Sequence, residues 1–163
     1  MRPASVRLTP RGERRIEELQ EGDLVATRDG PAQPIRWAGK RTIQARGNFA
    51  PIRIEAGALG DHRRLLVSPQ HRILIEGTRA ELLFGETEVL VSAKHLVNGT
   101  TIKAMEGGFV TYVHLLFDRH ELLFSEGLPT ESFLPGPGVA DGLEAEVLAE
   151  ICALFPELDP ATG

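Results

Sequence analysis

A chain of 163 residues, 42% hydrophobic and 25% charged, is long enough for one domain with a full hydrophobic core, and its composition excludes disorder of the whole chain. The net charge of -5 at pH 7 argues against a nucleic-acid-binding surface, and the short groups Arg11, Arg14, Arg15 and Arg63, Arg64 do not change that. No apolar run approaches the ~20 residues that cross a bilayer, the N-terminus carries no apolar stretch of signal-peptide length, and a single cysteine, Cys152, can form neither an internal disulfide nor a multi-cysteine metal site.

In chain order, a short strand is expected around Ser5-Val6-Arg7-Leu8, stopped by Thr9-Pro10-Arg11-Gly12. A short helix is expected over residues 13–19, with Ile16 and Leu19 on one face. Leu24-Val25-Ala26-Thr27 follows as a strand, and Asp29-Gly30 is a hairpin-turn signal. Residues 34–43 read as a longer strand with a bulge at Gly39. Pro51-Ile52-Arg53-Ile54 alternates like a half-buried strand, and Leu65-Leu66-Val67 and Arg72-Ile73-Leu74-Ile75 are short apolar runs interrupted by Ser68-Pro69-Gln70-His71. Val89-Leu90-Val91 is a further strand, Ala93 to Val97 a compact segment, and Asn98-Gly99 a second tight turn. Residues 110–117 and 121–124 are β-rich runs flanking Asp118-Arg119-His120. Pro135-Gly136-Pro137-Gly138 reads as a linker to a helix over residues 142–155, whose Leu143, Val147, Ile151 and Leu154 recur at helical spacing and which Pro156 closes. Many short strands separated by turns favour a compact, mainly β fold.

Two segments concentrate groups capable of chemistry. One is Ser68-Pro69-Gln70-His71. The other runs from His114 to His120; in an unbroken strand His114, Leu116, Asp118 and His120 would share a face, and a turn at Asp118-Arg119 would separate them. The histidines His62, His71, His95, His114 and His120 raise the question of a metal site, but no H-E-x-x-H or paired-cysteine pattern occurs and neither metal nor cofactor is expected.

These segments carry a family resemblance. Thr9-Pro10-Arg11-Gly12, Ile16-Glu17-Glu18-Leu19, Gly22-Asp23-Leu24-Val25, Leu66-Val67-Ser68-Pro69-Gln70-His71-Arg72, Ala93-Lys94-His95-Leu96-Val97, Asp118-Arg119-His120-Glu121, Glu126-Gly127 and Thr130-Glu131-Ser132-Phe133 follow one another as they do in the Hint family of Hedgehog C-terminal domains and inteins. The chain resembles the bacterial Hint branch over roughly residues 5 to 135. The resemblance implies a curved, all-β, horseshoe-like fold over residues 1–135. The linker and amphipathic C-terminal helix, residues 136–163, are expected to pack on the same domain.

The activity implied is attack on the domain's own upstream peptide bond, an N–S acyl shift in which a cysteine at the first position turns an amide into a thioester. The substrate, and sole expected partner, is then the upstream segment of the same polypeptide; no nucleic acid and no membrane span are expected. Such a site must position the thiol, polarise the amide and protonate the leaving nitrogen. By the resemblance Ser68 and His71 stand at the family's Thr-x-x-His motif, serine replacing threonine, so that His71 would donate the proton and Ser68 orient the peptide. His120 stands at the later histidine of the fold, with Asp118 to orient it or tune its pKa.

The pattern breaks at the nucleophile. The family cysteine falls on Met1 or just before it, and a thioether has no ionisable proton. Ser5 aligns with a later small residue, and an alcohol replaces a thiolate poorly near pH 7. Cys152, within the last helix beside Ile151, is expected to be a small packing residue. Splicing would also need an asparagine at the end of the domain, where Asp159-Pro160-Ala161-Thr162-Gly163 stands. The expectation is therefore an autoprocessing framework inactive as written, through natural degeneration or through a cut or substitution at the junction. The alternative is a non-catalytic Hint-like interaction or attachment module.

Overall fold

The computed structural model describes residues 6–135 and 143–160. Strands β1 (Val6–Thr9) and β2 (Gly12–Arg15) form an antiparallel hairpin with Thr9 opposite Gly12. Pro10-Arg11 makes the turn, the Thr9 hydroxyl donating to the Gly12 carbonyl at 2.6 Å, and Gly12 takes a φ of +95° that a side chain would resist. The helix expected over residues 13–19 contracts to a single 3-10 turn, Ile16–Glu18. Its first residues join β2 instead, because pairing with β1 outweighs the helical preference of the Glu- and Arg-rich sequence. Ile16 and Leu19 are buried as expected.

β3 (Leu24–Val25) and β4 (Gln33–Pro34) pair across the loop containing Asp29-Gly30, where the Thr27 hydroxyl donates to the Gly30 and Pro31 carbonyls. β5 (Trp37–Gln44) shows no bulge at Gly39: its register against a later strand runs unbroken, with Lys40, Gly39 and Ala38 opposite Val113, His114 and Leu115. Gly39 serves close packing instead. The Trp37 indole lies across it, and a Cβ at Gly39 would meet Trp37 Cη2 at 2.2 Å. The ring cannot simply swing away, because it packs edge-on against Phe155 at 5.4 Å and beside His114 at 6.5 Å. Gly39→Ala is therefore expected to cost about 1–3 kcal/mol in urea unfolding, and Trp37→Phe in the same chain to recover part of it. An unchanged midpoint in the single variant would refute this reading.

The remaining strands are β6 (Ile52–Ile54), β7 (Leu65–Val67), β8 (Arg72–Glu76), β9 (Glu88–Ser92), β10 (Ile102–Ala104), β11 (Phe109–Leu116), β12 (Glu121–Ser125) and β13 (Leu128–Ser132). A six-stranded sheet has the order β2-β1-β12-β13-β8-β9, β10-β6-β7 form a second sheet, and β11 pairs with β5. The result is a curved, mainly β body without a closed barrel. Glu126-Gly127 joins β12 to β13 as a two-residue turn with φ of +51° and +88°, the primed geometry that matches strand twist. Asn98 Oδ1 accepts from the N–H groups of Thr100, Thr101 and Ile102, which fixes the Asn98-Gly99 turn.

Two α-helices accompany the strands among the described residues. α1 (Thr78–Phe84) carries no sequence signal, since it buries Ala80 while Leu82, Leu83 and Phe84 face outward. α2 (Leu143–Leu154) buries Val147, Ile151 and Leu154, as its spacing predicts; Gly142 and the side chain of Leu143 lie outside the described residues. Val147 and Ile151 pack with Phe133, and Leu154 with Val110 and Tyr112, so α2 rests on the β body. No described helix is long and apolar enough to cross a membrane.

Candidate functional site

A cavity of about 90 Å³ lies between β1, the β7–β8 loop, β11, β13 and α2. The β7–β8 loop delivers Ser68 and His71 to it. The loop closes on itself through the His71 N–H, which donates to the Ser68 carbonyl at 3.1 Å. It is fastened to the 3-10 turn Ala93–Leu96 from two sides: Ala93 N–H donates to the His71 carbonyl and Lys94 N–H to the Pro69 carbonyl, both at 2.9 Å. The segments 66–72 and 93–97, far apart in sequence, are thus one built unit.

Within that unit the Ser68 hydroxyl hydrogen-bonds the Glu150 carboxyl group, and the Gln70 N–H donates to Glu150 Oε2 at 2.9 Å. Burial pushes the Glu150 carboxyl up to about 7, and these two bonds only partly counter it. His71 has part of its surface in the cavity and is otherwise wrapped by protein, and one ring N–H donates to the Glu131 backbone carbonyl. Burial first, then the positive charge of Arg7, then His114, push its imidazole down to about 3. His114 on β11 shares the cavity; its Nε2 lies 3.1 Å from the Phe133 carbonyl, and burial pushes it down to about 4. At neutral pH both rings are uncharged.

Arg7 enters from β1. It is 5% exposed, and its Nε and Nη1 are buried without a hydrogen-bond partner. Burial lowers the guanidinium to about 10 against the opposing field of Glu126, whose carboxylate is bonded to Arg63 at 2.8 Å. Beside His71, Arg72 forks onto Glu131 at 2.8 and 2.9 Å and covers the Phe133 ring.

His120 and Asp118 are placed elsewhere. β11 ends at Leu116 and the chain bends at Asp118-Arg119, so the shared face of an unbroken strand is not formed. Asp118 forks onto Arg36 Nε and Nη2 at 3.0 and 3.1 Å. His120 is exposed, accepts the Leu134 N–H on Nδ1 at 2.9 Å, and packs on Phe133 with ring centres 4.7 Å apart. It touches the cavity wall from outside and does not line it. Met1 and Ser5 lie outside the described residues.

Arg7 and Glu150 are cavity residues that the sequence reading passed over. Glu150 did leave a trace, since it sits one residue before Ile151 on the apolar stripe of α2. Arg7 left none, because nothing in a four-residue strand tells which face is covered. Cys152 is only partly buried, and burial together with Asp159 raises its thiol pKa, away from the thiolate form. His62 is a structural residue: its Nε2 accepts the Leu59 N–H and its Nδ1 lies 2.7 Å from the Arg63 carbonyl. Among the described residues no three His, Cys, Asp or Glu side chains converge as a metal site.

Solved structures that share this architecture include inteins. The MchDnaB-1 intein superposes with a TM-score of 0.53 at 14% identity, over 78% of this chain and 96% of its own. The AceL NrdHF class 3 split intein, in a splice-inactive variant, superposes with a TM-score of 0.50 at 14% identity, over 80% of this chain and 94% of its own. At this identity the likeness speaks for the fold. No curated protein matches the chain. The Hint domain model, in contrast, matches residues 3–137, which spans β1 to the end of the β body, and the chain belongs to the Hint domain family.

Proposed function

We propose that this chain is a Hint-type autoprocessing framework directed at the peptide bond upstream of β1, and that it is inactive as written. The observation that supports it is the placement of Ser68 and His71 on a cavity walled by β1 itself. In the reaction the sulfur of a cysteine bonds to the upstream carbonyl carbon, the carbon–nitrogen bond breaks, and the nitrogen receives a proton.

One feature argues for inactivity as written, and the state of His71 bears on the second reading. The single cysteine of the sequence sits in α2 and does not line the cavity. His71 is the uncharged imidazole at neutral pH, because burial and the charge of Arg7 hold it down to about 3. Its remaining role is to hold a hydrogen bond and to pass a proton only when one is forced onto it. Ser68, bonded to Glu150, orients the peptide through that pair. Asp118 and His120 are assigned a supporting part at most, His120 by holding Phe133 and the Leu134 N–H.

The test is a reporter protein fused upstream, with cysteine placed at Met1→Cys in one version and inserted just before Met1 in another. Thiol-induced cleavage at the junction, read by mass spectrometry, is expected in one of the two and is expected to fall at least tenfold in His71→Ala. Absence of cleavage in both registers, at every pH and thiol concentration, would leave the second reading: a non-catalytic Hint-like module. The neutral His71 and the buried charge of Arg7 are the observations that favour that second reading.

A further inference from the structure

We propose that the cavity behind β1 is a binding site for a short aliphatic carboxylate, held by Arg7. The proposal does not depend on autoprocessing and concerns the same chamber in a different use.

A buried guanidinium with donors left unpaired is costly, since each such donor forfeits the hydrogen bond it makes with water in the unfolded chain. Arg7 leaves three N–H donors in that state, one on Nε and two on Nη1. The other charges around it are already matched. Arg72 is forked onto Glu131, and the Glu126 carboxylate is taken by Arg63. Glu150 holds its proton to about pH 7, and His71 and His114 are neutral. Arg7 lines the cavity with a positive charge that Glu126 only partly offsets, which calls for a monoanion. A dianion such as phosphate would bring a second negative charge toward Glu150 and Glu131.

The polar end of the site has more to offer than Arg7. Ser132 Oγ is buried without a partner and lines the same cavity, as does Gln70, whose amide oxygen is also unpaired. A hydroxyl can donate to a carboxylate, whereas the Gln70 amide N–H₂ is already bonded to the Glu146 carboxylate. The other walls are apolar: Val110, Leu115, Val147, Ile151, Leu154 and Phe155. A chamber of about 90 Å³ with one cationic end and aliphatic sides fits a carboxylate on a short hydrocarbon tail.

Trp37, the single tryptophan, packs on His114 and Phe155, two residues that line the cavity, and reports on it by fluorescence. Sodium butyrate, acetate and phosphate are titrated into the protein at pH 7 with ionic strength held constant by chloride. The expected result is a saturable change, tighter for butyrate than for acetate and absent for phosphate. In Arg7→Met the butyrate affinity is expected to fall about tenfold or more, as the loss of a charge-assisted contact implies, and in Ser132→Ala by a smaller factor. If Arg7→Met does not fold, Arg7→Lys, which keeps the charge without the planar fork, is expected to weaken butyrate while leaving the fold intact, and butyrate should raise the Tm of the parent protein above its value in chloride. No saturable response to butyrate, an unchanged affinity in the Arg7 variant, or a preference for phosphate would each overturn the proposal.

Discussion

Replacing Glu131 by glutamine is expected to lower the stability of the fold by about 3–5 kcal/mol, the usual cost of stripping a buried charge of its partner. The Arg72 and Glu131 side chains are 13% and 7% exposed, and the two hydrogen bonds between them form a parallel fork. Glu144 stands 3.7 Å from Arg72 but is 38% exposed, so it screens the orphaned guanidinium only weakly. Urea unfolding of Glu131→Gln measures the loss. The double variant Arg72→Met, Glu131→Leu should recover most of it, because two apolar side chains of similar volume replace a pair whose desolvation had offset much of its attraction. A loss below about 1 kcal/mol in the single variant would mean that Glu144 takes over the pair. The effect bears on the site as well, since the Glu131 backbone holds the His71 ring and Arg72 is its chain neighbour.

Acid is expected to weaken the protein over a defined window, with a slope set by three groups around one cavity. His71 and His114 titrate in the folded chain at about 3 and about 4, against an unfolded value of 6.5. Their contribution is complete above pH 6.5 and declines as the pH falls toward those folded values, because the unfolded chain alone takes up the protons. Glu150 acts in the opposite sense. Its folded value of about 7 exceeds the unfolded 4.5, so it favours the fold more as the pH drops from 7 to 4.5. Between pH 6.5 and 5 the two histidines together forfeit about 3 kcal/mol and Glu150 returns about half of that, which leaves a net loss of about 1.5 kcal/mol. Glu150→Gln removes the offset, and its loss over the same interval should approach about 3 kcal/mol. Stabilities from urea unfolding at the two pH values decide the matter; equal slopes in parent and variant would show that Glu150 is ionised in the fold.

The strands were legible where alternation and turn chemistry agree, as in Ile52–Ile54, Leu65–Val67 and the run Phe109–Leu116. The failures have local causes. Residues 13–15 favour helix by composition and are drawn into β2 by their partner strand. Gly39 looks like a bulge and is a seat for an indole, which the i, i+2 neighbour Trp37 explains once the strand is known to run in unbroken register there. α1 has no buried stripe to betray it, with Leu82 80% exposed. At the cavity, Ser68 and His71 could be singled out because a family pattern marks them. The pairing of Asp118 with Arg36 could not be foreseen, because the two are joined only by the register of β11 with β5. The burial of Arg7 could not be foreseen either, since it depends on which side of the six-stranded sheet receives α2.

That helix has a practical consequence for anyone trimming the protein. The Hint domain match stops at residue 137, and α2 begins at Leu143. Yet Val147, Glu150, Ile151 and Leu154 form one wall of the cavity. A boundary drawn by homology and a boundary drawn by packing therefore differ by one helix. A chain ended at residue 137 would retain every family landmark, but it would expose Phe133, Val110 and Tyr112 to water and release Ser68 and Gln70 from their carboxyl partner. Such a fragment would be recognised by sequence as whole while behaving in solution as an open, adhesive half-shell.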